Sequence, residues 1–145
     1  MTITYAIEPG LSVEEFIDVL RRSTLAERRP VDDRPRIAKM LKHAGLIVTA
    51  RDGLGSLVGV ARAVTDFSYC CYLSDLAVDQ ASQGQGIGLA LMKRVRAEAG
   101  EQATFLLLSA PGAMTYYPQA GLSPFDNCFG LRGPWPDPKP VERPL

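Results

Sequence analysis

The stretch Gln83-Gly84-Gln85-Gly86-Ile87-Gly88 constrains this chain more than any other. An apolar run, Leu73 to Val78, precedes it, and a stretch with helical apolar spacing, Leu89 to Ala99, follows. Strand, glycine turn and helix in that order aim free backbone N–H groups at one point. Glycine lacks a Cβ, so it tolerates positive φ and lets a ligand come close to the backbone. The first N–H groups of a helix have no intrahelical partner, and the helix dipole favours an anion there. The combination is a cradle for phosphate.

Several kinds of glycine turn compete for this stretch. A P-loop needs Lys followed by Ser or Thr after its last glycine, and Leu89-Ala90 stands there instead. A dinucleotide fingerprint needs Gly-x-Gly-x-x-Gly or Ala; counting from Gly84 or Gly86 puts Leu89 or Leu91 at the third position. A turn with no ligand is the plain alternative, yet alternating glycines at a helix start cost propensity that a mere turn does not require. What remains is Gln-x-x-Gly-x-Gly after Leu76-Ala77-Val78.

The rest of the chain alternates strands and helices. Thr2 to Ile7 reads as a short strand. Ser12, with Glu15 three residues on, forms a capping box. Leu11, Phe16, Val19 and Leu20 then make a helical stripe that fades near Arg22. A polar, Arg-rich stretch leads to a second helix from Pro35, with Ile37, Met40 and Leu41 as its apolar face and Gly45 as its stop. Strands follow at Leu46 to Ala50, Leu57 to Val64 and Tyr69 to Val78, the first two joined by a turn at Asp52-Gly53 that extends to Ser56. The helix after the glycine turn covers 87–99 and stops at Gly100. Thr104 to Leu108 is so apolar that it belongs in the middle of a covered sheet. Ala113 to Ala120 is a short helix interrupted by Pro118, and Ser123 to Leu131 supplies the last strands. Gly133 to Leu145 holds five prolines and is extended. The fold class is α/β (α+β), with one domain over 1–132 and a proline-rich tail over 133–145.

Composition narrows the partners. With 46% hydrophobic and 22% charged residues, the 145-residue chain can build a core and is not expected to be disordered. Lys plus Arg equals Asp plus Glu at 16 each, so charge gives no reason to expect nucleic acid or a membrane surface. No run approaches the roughly 20 apolar residues of a membrane span. The start of the chain lacks a basic segment followed by an apolar one, so no signal peptide is read. Cys70, Cys71 and Cys128 are an odd set with two adjacent, which suits a reducing, cytoplasmic setting better than a disulfide framework, and Cys70 and Cys71, mid-strand, read as core residues. His43 is the one histidine, so no metal site is expected.

Gln83 to Gly88, after Leu76-Ala77-Val78, resembles the signature of the GNAT N-acetyltransferase superfamily: Gln or Arg, two residues, Gly, one residue, then Gly or Ala. A second family element, aromatic-Tyr, three residues and Gly-Phe, is matched by Tyr116-Tyr117-Pro118-Gln119-Ala120-Gly121-Leu122, with Leu in place of Phe. The order of strands and helices agrees over 1–132. The resemblance implies a twisted mixed sheet, mostly antiparallel, flanked by helices and splayed at the strand before the glycine turn. It implies acetyl-coenzyme A as co-substrate. It gives the pyrophosphate to the N–H groups of Gln83, Gly84, Gln85, Gly86, Ile87 and Gly88, and the pantetheine arm to backbone groups of Leu76, Ala77 and Val78 by strand-like pairing.

Acetyl transfer to an amine needs a base for the ammonium proton, donors for the tetrahedral oxyanion and a proton for the leaving thiolate. The resemblance gives the last task to Tyr117, with Tyr116 packing beside it. For the base it offers Asp75, the one acid on the strand before the turn. The alternatives are a structural Asp75 that accepts backbone hydrogen bonds at a strand bulge, and a water held by Tyr72 and Ser74. Strand alternation turns Asp75 away from Tyr72 and Ser74 unless a bulge re-aims it. Many relatives carry Asn seven residues before the tyrosine; Ala110 stands there, and Ser109 is the candidate to take over some contact with the cofactor arm.

A weaker resemblance, over 28–88, joins Arg28-Arg29-Pro30-Val31-Asp32 and Leu57-Val58-Gly59-Val60-Ala61-Arg62-Ala63-Val64-Thr65-Asp66 to the plant-type serotonin N-acetyltransferases and their bacterial relatives. It implies a small primary amine as acceptor. Shared scaffold explains the same residues: Gly59 for strand packing, Arg62 for a salt bridge, Asp66 for a turn. The Arg-rich stretch 21–36, with Asp32-Asp33, lines an acceptor cleft or is a solvated face. Acylation of a protein lysine or N-terminus, and a coenzyme A sensor without turnover, stay open as alternatives. Homodimers are common in the superfamily, and the proline tail offers one a contact.

Overall fold

Ser12 opens the first helix as its spacing requires: its side chain accepts the Glu15 N–H at 3.1 Å at the start of α1 (Val13–Arg22) in the computed structural model of the protein, which describes residues 2–141 and 144. The box is not reciprocal, because the Glu15 carboxylate pairs with Arg51 at 2.7 Å. Arg51 also holds Glu8 at 2.8 Å, so one guanidinium joins the residue just after the first strand, the second strand and α1.

The chain divides between Ala110 and Pro111 into two compact units. The first carries a five-stranded sheet in chain order: β1 (Thr4–Ile7), β2 (Leu46–Arg51), β3 (Leu57–Thr65), β4 (Cys70–Val78) and β5 (Thr104–Leu107). β1 to β4 are antiparallel neighbours, and β5 runs parallel to β4. Antiparallel neighbours need only short turns, whereas the parallel step needs a crossover, supplied by α3 (Ile87–Ala99). Helix α3 packs over β2, β3 and β4; α1 packs over β3 and β4 and against α2 (Arg34–Lys42).

Adjacent strand residues point to opposite faces, and β3 separates the two layers. Val60 joins Phe16, Val19, Leu20 and Ile37, all fully buried, in the core under α1 and α2. Each such side chain contributes roughly 1.5–3 kcal/mol. Gly59 faces the other way, where an added Cβ would lie 3.1 Å from both Ile87 and Leu91 of α3. Gly59→Val is therefore expected to lift α3 from the sheet at a cost of about 1–3 kcal/mol, read as a lower urea midpoint with an unchanged slope.

Four sequence expectations are corrected. Helix α2 ends at Lys42 with His43 as its cap, short of Gly45. Gly45 is small for another reason: a Cβ there would stand 2.9 Å from the Thr65 carbonyl oxygen. β5 lies at the sheet edge, not its middle, because among the described residues β4 is its one strand partner; its apolar residues Phe105, Leu106 and Leu107 are only half-buried there. Cys71 is buried as a core residue, but Cys70 is exposed. The stretch 123–131 forms no strand. Pro124 and Gly130 interrupt its pattern, and Phe125 and Phe129 stay exposed.

The second unit holds one turn of 3₁₀ helix at Pro111–Ala113 and the short helix α4 (Tyr116–Gln119). Pro118 fits inside α4 because the first N–H groups of a helix have no internal partner to lose. Gly121, at φ 101°, ends the segment in a conformation that glycine adopts without strain.

Candidate active site

The glycine turn has the geometry its sequence implied. Gly84 and Gly86 hold φ of 78° and 80°, and an added Cβ on either would meet nothing within 4 Å. Glycine is thus demanded by backbone conformation, and the space in front stays open. The first internal bond of α3 runs from Ala90 to Gly86 at 3.0 Å. The N–H groups of Ile87, Gly88 and Leu89 precede that bond, as an anion cradle requires. The Gln83 side chain turns back and donates to the Val78 carbonyl at 3.2 Å, pinning the turn to the end of β4.

β4 reaches that turn with one edge unpaired. It pairs with β5 from Cys70↔Thr104 to Leu73↔Leu107 and no further, while its pairing with β3 runs on to Val78↔Gly59. Leu76, Ala77 and Val78 therefore have a strand on one side only among the described residues. Such an edge accepts an amide-bearing chain by strand-like pairing. The splay expected before the turn is present.

The departure of β4 from β5 coincides with a bulge. Arg62 pairs with Asp75 and Ala63 with Leu73, leaving Ser74 as the extra residue. The bulge re-aims the strand: Asp75 lies opposite Arg62 and Tyr72 opposite Val64, two β3 residues of one face. Asp75 thus shares the face of Tyr72, against simple alternation. It is fully buried, and each carboxylate oxygen accepts from a guanidinium, Oδ1 from Arg29 Nε and Oδ2 from Arg62 Nε. Ser74 is held by the same pair. Its carbonyl accepts from Arg29 Nη2 at 2.7 Å, and its Oγ accepts from Arg62 Nη2 at 2.9 Å. Asp75 accepts from arginine side chains rather than from backbone N–H groups at the bulge.

A family model described as the acetyltransferase (GNAT) family matches residues 13–121, which include the bulge, the unpaired edge and the glycine turn. The chain belongs to the GNAT acetyltransferases. It is an acetyl-coenzyme A-dependent acyltransferase by that membership. Solved structures agree on the fold. A GNAT-family acetyltransferase of Streptococcus pneumoniae TIGR4 superposes with a TM-score of 0.71 at 23% identity, covering 91% of this chain and 97% of that one. An acetyltransferase described as putative, from Deinococcus radiodurans R1, gives 0.70 at 22%, covering 90% and 88%. An aminoglycoside acetyltransferase from an uncultured soil metagenomic sample, in complex with trehalose, gives 0.68 at 17%, covering 92% and 96%. No curated protein matches the chain by sequence.

In this GNAT acetyltransferase, Tyr117 stands in α4 of the second unit with its ring 5.2 Å from that of Tyr116, edge to face. Burial pushes the Tyr117 hydroxyl above its usual value, and Tyr116 adds to the shift, so the phenol is protonated at neutral pH. Ser109, half-buried after β5, donates to the Ala110 carbonyl at 2.8 Å. His43 is an exposed helix cap. Among the described residues no group of three His, Cys, Asp or Glu converges as a metal site would need, and no helix is long and apolar enough to cross a membrane.

Sequence reasoning placed Arg62 in a salt bridge but missed that Arg29 shares its carboxylate. Forty-six positions separate Arg29 from Asp75, and no spacing rule joins a loop arginine to a strand aspartate across that gap.

Proposed function

We propose that the protein moves an acetyl group from acetyl-coenzyme A to a small primary amine by direct attack in a ternary complex. The observation that supports this reading best is the unpaired edge of β4 leading into a positive-φ turn at the start of α3. An amide-bearing arm would pair along Leu76, Ala77 and Val78, and a pyrophosphate would sit on the N–H groups from Gln83 to Gly88. Ser109 would add a contact to the arm.

Bound acetyl-coenzyme A supplies an activated thioester. The amine nitrogen bonds to the thioester carbon, the carbon–sulfur bond breaks, and Tyr117 gives its proton to the departing thiolate. Proton removal from the ammonium falls to Asp75 or to a water. The two ion pairs on Asp75 favour the water, since both carboxylate oxygens are already taken by guanidinium groups. Tyr72 and Ser74, on either side of the strand position where the bulge begins, would hold it.

A small acceptor is supported by a fold neighbour that is named an aminoglycoside acetyltransferase. A reducing, cytoplasmic setting would keep the exposed Cys70 and Cys128 as thiols. Acetyl-coenzyme A at 100 times its Kd is expected to stabilise the protein by about 2.7 kcal/mol, a rise of several degrees in Tm, with NADH and ATP giving none. Turnover on a panel of small amines and lysine peptides then separates the acceptor classes. Acetylation of the peptides alone would replace the small-amine reading. Binding without turnover on any amine would leave a coenzyme A sensor.

A further inference from the structure

We propose that Arg29 is a positioning residue for the amide arm of the co-substrate, acting through the bulge of β4; the inference rests on the acetyl-coenzyme A reading above. Four observations meet at Ser74. It is the extra residue of the bulge, and a bulged residue falls out of the ladder and must find other partners for its backbone. It follows directly on Leu73, the last residue of β4 to pair with β5. Its carbonyl is taken by Arg29 and its hydroxyl by Arg62. Both guanidinium groups then close on the two oxygens of Asp75, the next residue along.

This arrangement is a clamp on a single turn of the backbone. Arg62 comes from β3, inside the sheet, and is buried. Arg29 comes from the connection between α1 and α2, directly after a 3₁₀ turn at Leu25–Arg28, and the Ala26 carbonyl accepts its N–H at 3.2 Å. Among the described residues, the side-chain hydrogen bonds from that connection to β4 come from Arg29. Its Nε and Nη2 reach consecutive residues, Asp75 through the side chain and Ser74 through the backbone, a two-point fork that lysine cannot reproduce. The direction in which β4 leaves the bulge sets where the free groups of Leu76, Ala77 and Val78 point. Arg29 therefore governs the edge that would pair with the arm, while the glycine turn has holds that do not pass through Arg29: the Asp79 N–H donates to the Val58 carbonyl of β3 at 2.8 Å, and α3 packs over β2 and β3.

The separation of those two holds gives the test. Calorimetric titration compares acetyl-coenzyme A with 3′-phosphoadenosine 5′-diphosphate, the same nucleotide without the arm, on the full chain and on Arg29→Ala and Arg29→Lys. Arg29→Ala is expected to weaken acetyl-coenzyme A by about tenfold or more and leave the truncated nucleotide within about twofold; Arg29→Lys falls between. Equal weakening of both ligands, in Arg29→Lys where Arg29→Ala fails to fold, would mean general loosening and overturn the proposal. Unchanged binding of both would overturn it as well. Failure of the unsubstituted protein to bind acetyl-coenzyme A would instead remove the functional reading, and this inference with it.

Discussion

Tyr117→Phe is expected to lower kcat by about 10²–10³-fold and to leave the Kd for acetyl-coenzyme A within about twofold, the range a lost general acid gives. The substitution removes one oxygen and keeps the ring that meets Tyr116 edge to face, so the packing of the second unit survives. The pH profile supplies a second reading of the same group. An acid works in its protonated form, and burial holds the Tyr117 phenol above its ordinary value of about 10. Activity that depends on it falls only on the alkaline side of that value, and the fall disappears in Tyr117→Phe. A variant with unchanged kcat would return the tyrosine to a packing role and open the sensor reading.

Asp75→Ala is expected to cost about 3–5 kcal/mol of stability, because it leaves a buried guanidinium without its counter-charge. Arg62 has 8% of its side chain exposed and cannot turn to water, whereas Arg29 has 23% and can. Most of the loss therefore belongs to Arg62. Asp75→Asn keeps an oxygen that accepts from one arginine and should lose less. Denaturant unfolding measures both. The pair of variants also tests the base. Were Asp75 to take the substrate proton, Asp75→Asn would lose nearly all turnover. Were the base a water, Asp75→Asn would lose activity only in proportion to its weaker fold.

The parts of this molecule legible in the sequence are those with short-range causes. The capping oxygen of Ser12, the glycine turn and helix α3 each follow from residues within one helical turn of each other. The unpaired edge was legible through family resemblance rather than through any pattern in Leu76-Ala77-Val78, whose apolar character is the same on either side. The bulge at Ser74 was not legible, since one residue too many in β4 shows only against its partner β3. That single residue reversed the facing of Asp75 relative to Tyr72 and turned the candidate base into the centre of two ion pairs. The stretch 123–131 failed for the converse reason: its local pattern suits a strand, but a strand exists only where a partner offers its own hydrogen bonds.

The sheet is laid down in chain order, each strand beside the one made before it. A chain emerging from its start would find, at every step, an edge already waiting, with only the crossover through α3 delaying the last addition. Residues that would bind the co-substrate lie within the first 110, and the proposed acid comes after them. The order of the chain thus runs in the same sense as the proposed chemistry: the residues that would recognise the donor come before the group that would end the reaction.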